Sequence, residues 1–312
     1  MQFSTSILKI VKSRGILWGL VALAAHTAWG LYPALARYLQ TVSHLPTFAM
    51  ATVGNGIVLI LLMATIFPRL DKTVFRQPVL WGFSLIVVCR SVTNLLSARF
   101  TLAIYVQVVN LLVPFLVALL STSLYRERLP RSTIPALLLS LLGALLIVTS
   151  DTGSAGLQLS LTSSDWLGIG LAATSGVFLA FYMIIIRRSF RQQISGDAIF
   201  LAQIIALTSV MGASSLVTQE NWGIWSQLQP TDWLVFALFI TVALVFANYG
   251  QIMALKHLPA PLVSGLLPWR LVSALAGGFL LLGEQLTTLW QYLGAVIILG
   301  TLSWYLSRQS EG

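Results

Sequence analysis

Of 312 residues, 57% are hydrophobic and 9% charged, with a mean hydropathy of +0.87, against roughly 25% charged in an ordinary soluble domain. That balance excludes a soluble globular protein and describes a chain whose main solvent is lipid. The formal net charge of +9, from 18 basic and 9 acidic residues, would raise nucleic acid in a soluble chain; here the bilayer is the expected partner, no nucleic acid is expected, and the placement of basic residues matters more than their number. Cys89 is the lone cysteine, which excludes a disulfide within these residues, and it reads as a small packing residue.

A bilayer core takes about 20 apolar residues per helix, and the chain is expected to form an all-α membrane protein of ten such helices. The spans are 15–38, 46–67, 78–98, 101–124, 132–150, 165–187, 196–217, 231–255, 260–283 and 287–306. Lys9, Lys12 and Arg14 precede the first, and Ala22-Leu23-Ala24 imitates a cleavage site. The apolar run continues to about Leu35, longer than a signal peptide needs, so this span is expected to be retained. The loops at 151–164 and 218–230 are too short for a soluble domain. Whatever the protein does, it does within the bilayer.

Polar residues inside the spans fall into stripes at helical spacing. The first span carries His26, Gly30, Pro33 and Arg37; the third Arg90, Asn94 and Ser97; the fourth Gln107, Asn110 and Pro114; the eighth Thr241, Asn248 and Gln251. A lipid-facing amide leaves its donors unsatisfied, so the stripes are expected to face the bundle interior. Helix-to-helix hydrogen bonding accounts for any one of these residues, whereas four stripes together favour a wet cavity.

Two residues stand out. Arg90 lies about a dozen residues into the third span and Arg270 similarly deep in the ninth, where a charge costs roughly 2.5–3.5 kcal/mol. No Asp or Glu lies deep within a span, so both guanidiniums lack an obvious partner. They are read as substrate-binding groups for a carboxylate or phosphate, which a planar bidentate guanidinium suits. Snorkelling or a tie to backbone carbonyls is the alternative. Asn94, Gln107, Asn110, Asn248 and Gln251 join them as candidates. His26, with a near-neutral reference pKa, is the one candidate for proton coupling, although a neutral, hydrogen-bonded core histidine and facilitated or exchange transport are the stronger expectation. Trp29 and Trp269, the two tryptophans away from the proposed interfaces, are candidates for stacking on cargo.

Basic residues cluster before the first span and after the second, fourth and sixth; with Lys256 and Arg308 they place 14 of 18 on one side. Both termini are therefore expected in the cytoplasm, in a multi-pass inner (plasma) membrane protein.

Ten spans invite a repeat of five. An offset of 148 sets Trp18 on Trp166, Leu23-Ala24-Ala25 on Leu171-Ala172-Ala173 and Leu31 on Leu179; near the end of each half, an offset of 157 sets Glu127 on Glu284, Leu129 on Leu286 and Gly143 on Gly300. An odd number of spans per half forces opposite orientations, and two inverted halves can rock about a midplane site. The expected halves are 15–150 and 165–306.

NLLVPFLVALLSTSLYRERL at 110–129 and GGFLLLGEQLTTLWQYLGAVIILG at 277–300 carry a resemblance to the EamA-type members of the drug/metabolite transporter superfamily, over about residues 15–306. The resemblance implies ten helices in two five-helix halves and export of amino acids or other metabolites. In one place the pattern departs: Pro268 precedes Glu284 by 16 residues and Pro114 precedes Glu127 by 13, so Leu271 takes the corresponding place, directly after Arg270.

Glu127 and Glu284, in matching positions at helix ends, are read as gate-end or structural groups together with Pro33 and Pro114. Gly168-Ile-Gly170-Leu-Ala-Ala173 imitates a dinucleotide fingerprint but follows no strand, so no cofactor is expected. His26, His44 and His257 are dispersed, and HExxH, GxSxG and paired intramembrane aspartates are missing. Neither a metal site nor an enzyme is therefore expected. The expectation is an alternating-access carrier of a small metabolite with an anionic group, most plausibly an amino acid exporter, with nucleotides, sugar phosphates or aromatic compounds as other cargoes and a channel as the other mechanism.

Overall fold

The computed structural model describes residues 2–100, 106, 109–125, 131–149, 163–282 and 289–310, and every regular element among them is helical. In chain order these are α1 (Gln2–Thr41), α2 (Thr47–Thr65), α3 (Pro78–Phe100), α4 (Val113–Tyr125), α5 (Thr133–Thr149), α6 (Ser163–Arg191), α7 (Gly196–Val217), α8 (Pro230–His257), α9 (Ala260–Gly265), α10 (Trp269–Leu282) and α11 (Leu289–Ser310). Six stretches are long and apolar enough to cross a membrane: Ile16–Thr41, Thr47–Arg69, Pro78–Ser97, Trp166–Arg191, Gly196–Val217 and Pro230–His257. The expected fourth, fifth, ninth and tenth spans contain shorter apolar helices.

Two of those shorter helices have a local cause. In the fourth span, helical residues 109–110 are followed by a turn at 111–112 before α4 begins, and Pro114 has no N–H to offer the preceding turn. In the ninth, α9 ends at Gly265 and a turn at 266–268 precedes α10, with Pro268 at its last position. The backbone there tightens to three-residue spacing, Leu266 donating to Val263 and Leu267 to Ser264. A third irregularity lies within α8, where Phe239–Phe246 winds as a π-helix between α-helical ends.

The helices pack in a regular pattern of partners. α1 lies against α10 and the second part of α8, α3 against α6, α4 against α6 and α9, α2 against α7, and α5 against α11. The α1–α2 and α6–α7 turns close alike. His44 and Gln193 both take positive φ, 56° and 62°, and Pro46 and Ser195 both sit in extended geometry just before α2 and α7.

Charge divides the two ends. Glu220 accepts from the backbone N–H groups of Phe48 and Ala49 at the start of α2, at 3.0 and 2.6 Å, where the free N–H groups and helix dipole favour an anion. Asp232 accepts from Ser43 Oγ at 2.7 Å and from the Gln229 N–H at 2.8 Å. At the opposite, arginine-rich end Trp18 stacks on His257 at 3.7 Å and 4°, and Arg187 Nη1 donates to the carbonyls of Leu255 and Lys256. Asp197 and Asp232 lie in first helical turns.

Close approach of α5 to α11 depends on Gly143, where a Cβ would stand 2.8 Å from the Gly294 carbonyl oxygen and 2.9 Å from Ile298. Backbone oxygen cannot swing aside, so Gly143→Ala should strain the pair by about 1–3 kcal/mol and lower the melting temperature of the detergent-solubilised protein. Gly82→Ala, with nothing within 4 Å of its Cβ, is the control and should melt at or above the wild-type temperature. Equal melting of the two variants would refute this packing.

Candidate functional site

The breaks and the π-turn all border one region. The turn after Val263 leaves that residue's carbonyl with room for a side-chain donor, and His26 Nε2 lies 2.8 Å from it. Arg270 Nε donates to His26 Nδ1 at 2.8 Å. Since Nδ1 must accept, Nε2 carries the proton and donates to Val263, so the ring is neutral with both nitrogens engaged. Arg270 Nη2 also donates to Gln251 Oε1 at 3.2 Å. Arg270 is the second residue of α10, where the dipole's positive end adds to its own charge.

Arg90 is held differently. Its guanidinium carbon lies 4.9 Å from the centre of the Trp29 ring and 5.0 Å from that of Tyr182, and Arg270's lies 5.3 Å from the same Trp29 ring. Desolvated cation–π contacts are worth about 2 kcal/mol each, so two ring faces roughly offset the 2.5–3.5 kcal/mol cost of the buried charge. They leave its N–H donors without an acceptor: no described residue takes a hydrogen bond from the Arg90 guanidinium, although the residue is only 8% exposed. Its own carbonyl is tied to Ser175 Oγ at 3.0 Å, which fixes α3 on α6.

Two cavities flank this pair, each of about 60 Å³. One water needs about 10–15 Å³ on the same measure, so each accommodates a few waters or the head of a small solute. Trp29, Tyr32, Arg90 and Asn94 line both. Asn55, Gln203 and Asn248 add an amide cluster to the first, together with Met211 and Phe239; Pro33, Asn110, Ser175 and Arg270 line the second. The amides are linked, Tyr182 donating to Gln203 Oε1 at 3.3 Å and Gln203 Nε2 to Asn248 Oδ1 at 2.6 Å. Asn248 Nδ2 in turn donates to the carbonyls of Leu244 and Ala243 beside the π-turn.

Among the sequence candidates, Arg90, Arg270, Asn94, Asn110, Asn248, Trp29 and Pro33 meet at the cavity walls, and His26 and Gln251 stand behind Arg270. Trp269 is half-buried and donates its indole N–H to Thr27 Oγ1 at 2.7 Å, tying α10 to α1. Pro114 is buried just past the break in the fourth span. Gln107, Glu127 and Glu284 lie outside the described residues. Two stripe members need correction. Thr241 is exposed and bonds the Ala237 carbonyl, because it lies within the π-helix Phe239–Phe246, which breaks the helical register before Asn248, and Arg37 is exposed at the end of its stripe. Sequence reading missed Tyr32, Asn55, Tyr182 and Gln203. Asn55 and Gln203 are amides in apolar spans and were open to the rule applied to the others; the two tyrosines carry no comparable signal.

Residues 14–149 match the EamA-like transporter family. A solved crystal structure shares the fold, with a TM-score of 0.72 at 18% identity over 96% of this chain and 99% of that one. No curated protein matches. The chain is thus similar to the EamA-like transporter family over residues 14–149, and to a solved structure in fold over nearly its whole length.

Proposed function

We propose that the protein is an alternating-access carrier, built of two inverted five-helix halves at 15–150 and 165–306, that moves a small metabolite with an anionic group. The observation that carries the cargo reading is Arg90: a buried guanidinium resting on two aromatic faces, with no hydrogen-bond acceptor among the described residues, lining both cavities. A carboxylate or phosphate entering beside it supplies the missing acceptors in bidentate geometry. An amino acid and a sugar phosphate both meet that requirement.

The packing supports the inverted repeat. Exchanging first span for sixth, second for seventh and so on turns the α1–α10 contact into α6–α4 and the α1–α8 contact into α6–α3, while α2–α7 and α5–α11 map onto themselves. His44 and Gln193 fall at near-equivalent places, and the two helical breaks fall in the fourth and ninth spans, corresponding positions of the two halves. Interrupted helices in corresponding positions mark the binding site of such carriers.

Orientation follows the basic residues: the arginine-rich end is assigned to the cytoplasm and the Glu220 end to the outside of an inner or plasma membrane. The first cavity is walled by Ala51, Asn55, Met211 and Phe239, on the parts of α2, α7 and α8 nearer the Glu220 end. The contacts of Trp18 with His257 and of Arg187 with Leu255 and Lys256 lie at the other end.

A thermal-shift screen of the purified protein against amino acids, organic acids, nucleotides and sugar phosphates should yield a stabilising anion. Vesicles reconstituted with the protein should then show saturable counterflow of that compound; flux that never saturates would identify a pore. At equal membrane abundance Arg90→Gln should weaken its apparent affinity at least tenfold, and unchanged affinity would remove Arg90 from the site. Since both nitrogens of His26 are engaged, His26 has no free position for a transported proton. An imposed pH gradient should therefore drive no uphill accumulation, and accumulation would assign His26 the coupling role instead.

A further inference from the structure

We propose that the cargo is an organic anion without an ammonium group, a carboxylate or phosphate ester whose other polar atoms are neutral, rather than a zwitterionic amino acid. This rests on the cavities being the cargo site and narrows what they accept. The charge of the walls points this way. Arg90 and Arg270 stand over one indole ring, 4.9 and 5.3 Å from its centre, and no described carboxylate shares the site. The acids whose contacts are described sit at helix ends and in connecting segments with partners of their own: Asp71 accepts from Thr73, Asp197 from Tyr249, Glu220 from Phe48 and Ala49, and Asp232 from Ser43 and Gln229.

An ammonium has three other refuges in a membrane protein: an aromatic face, an amide oxygen or a carbonyl. Here the Trp29 and Tyr182 faces already carry guanidiniums, and the Tyr32 ring packs tilted against Trp29 and Phe239. The side-chain oxygens of Gln203, Asn248 and Gln251 each accept one hydrogen bond, from Tyr182, Gln203 and Arg270, which uses one of their two lone pairs. What is left over is weighted towards donors. On the wall, the Arg90 guanidinium has no acceptor among the described residues and the indole N–H of Trp29 is buried without one, against one unpartnered buried acceptor, Asn55 Oδ1; Nε2 of Gln251, behind Arg270, is unpartnered too. Asn94 and Asn110 offer both kinds of group and do not shift the balance. In an α-amino acid the ammonium is two bonds from the carboxylate carbon. Once the carboxylate reaches Arg90, the ammonium is carried into the field of both guanidiniums, where repulsion is weakly screened. An anion lacking that group gains the same contact and meets no such repulsion.

Matched ligands separate the two ideas. Thermal stabilisation of the purified wild-type protein would be titrated with 3-phenylpropionate, phenylalanine and phenethylamine, and with succinate against aspartate. At least one of the two acids should stabilise at concentrations about tenfold below its amino acid, and phenethylamine should not stabilise at all. The Arg90→Gln variant should lose the response to acid. An amino acid that equals or surpasses its acid, with the response still dependent on Arg90, overturns this inference and leaves the anion site standing. Phenethylamine matching 3-phenylpropionate, or an undiminished acid response in Arg90→Gln, overturns the anion site itself. Failure of the acids on both scaffolds also overturns the inference. The comparison of acid with amino acid uses wild-type protein only, so it holds whatever the variant does to folding.

Discussion

Two guanidiniums buried in an apolar bundle with no described carboxylate beside them are the constraint around which the rest of the molecule is arranged. Each is supported by means that avoid negative charge. Arg270 is pinned by a neutral imidazole and an amide oxygen, Arg90 by two ring faces. The difference matters for chemistry. Pinning through Nε and Nη2 fixes Arg270 in place and uses part of its hydrogen-bonding capacity, whereas ring faces cancel charge energy and leave the N–H edge of Arg90 free. The site therefore has one guanidinium that is structurally tied and one that is held ready.

Holding them there requires irregular backbone, which a bilayer tolerates only where it is enclosed by protein or lines a cavity. The turn at 266–268 leaves Val263's carbonyl able to take His26 and starts a new helix whose second residue is Arg270. The π-turn of α8 sets Asn248 and Gln251 towards the arginines while Thr241, one register away, faces out. A straight eighth helix would put Thr241 and Asn248 on one face and lose one of them to the wrong environment. Gly30 completes the arrangement: a Cβ there would come within 2.6 Å of the Arg270 carbonyl oxygen, so α1 reaches α10 closely enough for His26 to meet Arg270 only because position 30 has no side chain.

Much of this was legible in the chain. A charge or amide in a run of Leu, Val and Ile is costly, and that cost identified Arg90, Arg270, Asn94, Asn110 and Asn248 without coordinates. Reasoning from helical spacing failed where the helix itself changed period, at Thr241. It also failed for Tyr32 and Tyr182, because a tyrosine is amphipathic and its presence in a span carries no energetic alarm. Trp29 was noticed for its depth in the span, which did not reveal that its ring carries two guanidiniums of the protein while also lining both cavities. His26 was flagged by its reference pKa, yet its role depends on which atoms face its two nitrogens, and no spacing rule supplies that.

The ends of the bundle complete the physical picture of the proposed exchange. At the Glu220 end, helix α2 is capped by a carboxylate from the segment after α7, Ser43 meets Asp232, and Trp225, Trp233 and Phe236 pack ring against ring. At the other end an indole stacked on an imidazole and a guanidinium on two backbone carbonyls join α1, α6 and α8. Hydrogen bonds that water replaces readily have a modest net value, about 0.5–1.5 kcal/mol each, so each of these polar contacts can be exchanged at small cost. In the proposed carrier, a ligand that neutralises Arg90 from within tips the balance between the two ends by its differential affinity for the two states. On this view the buried charge serves both recognition and movement: the empty site keeps an unpaired guanidinium at the pivot, and the anion that satisfies it also removes the electrostatic cost of closing the cavity around it.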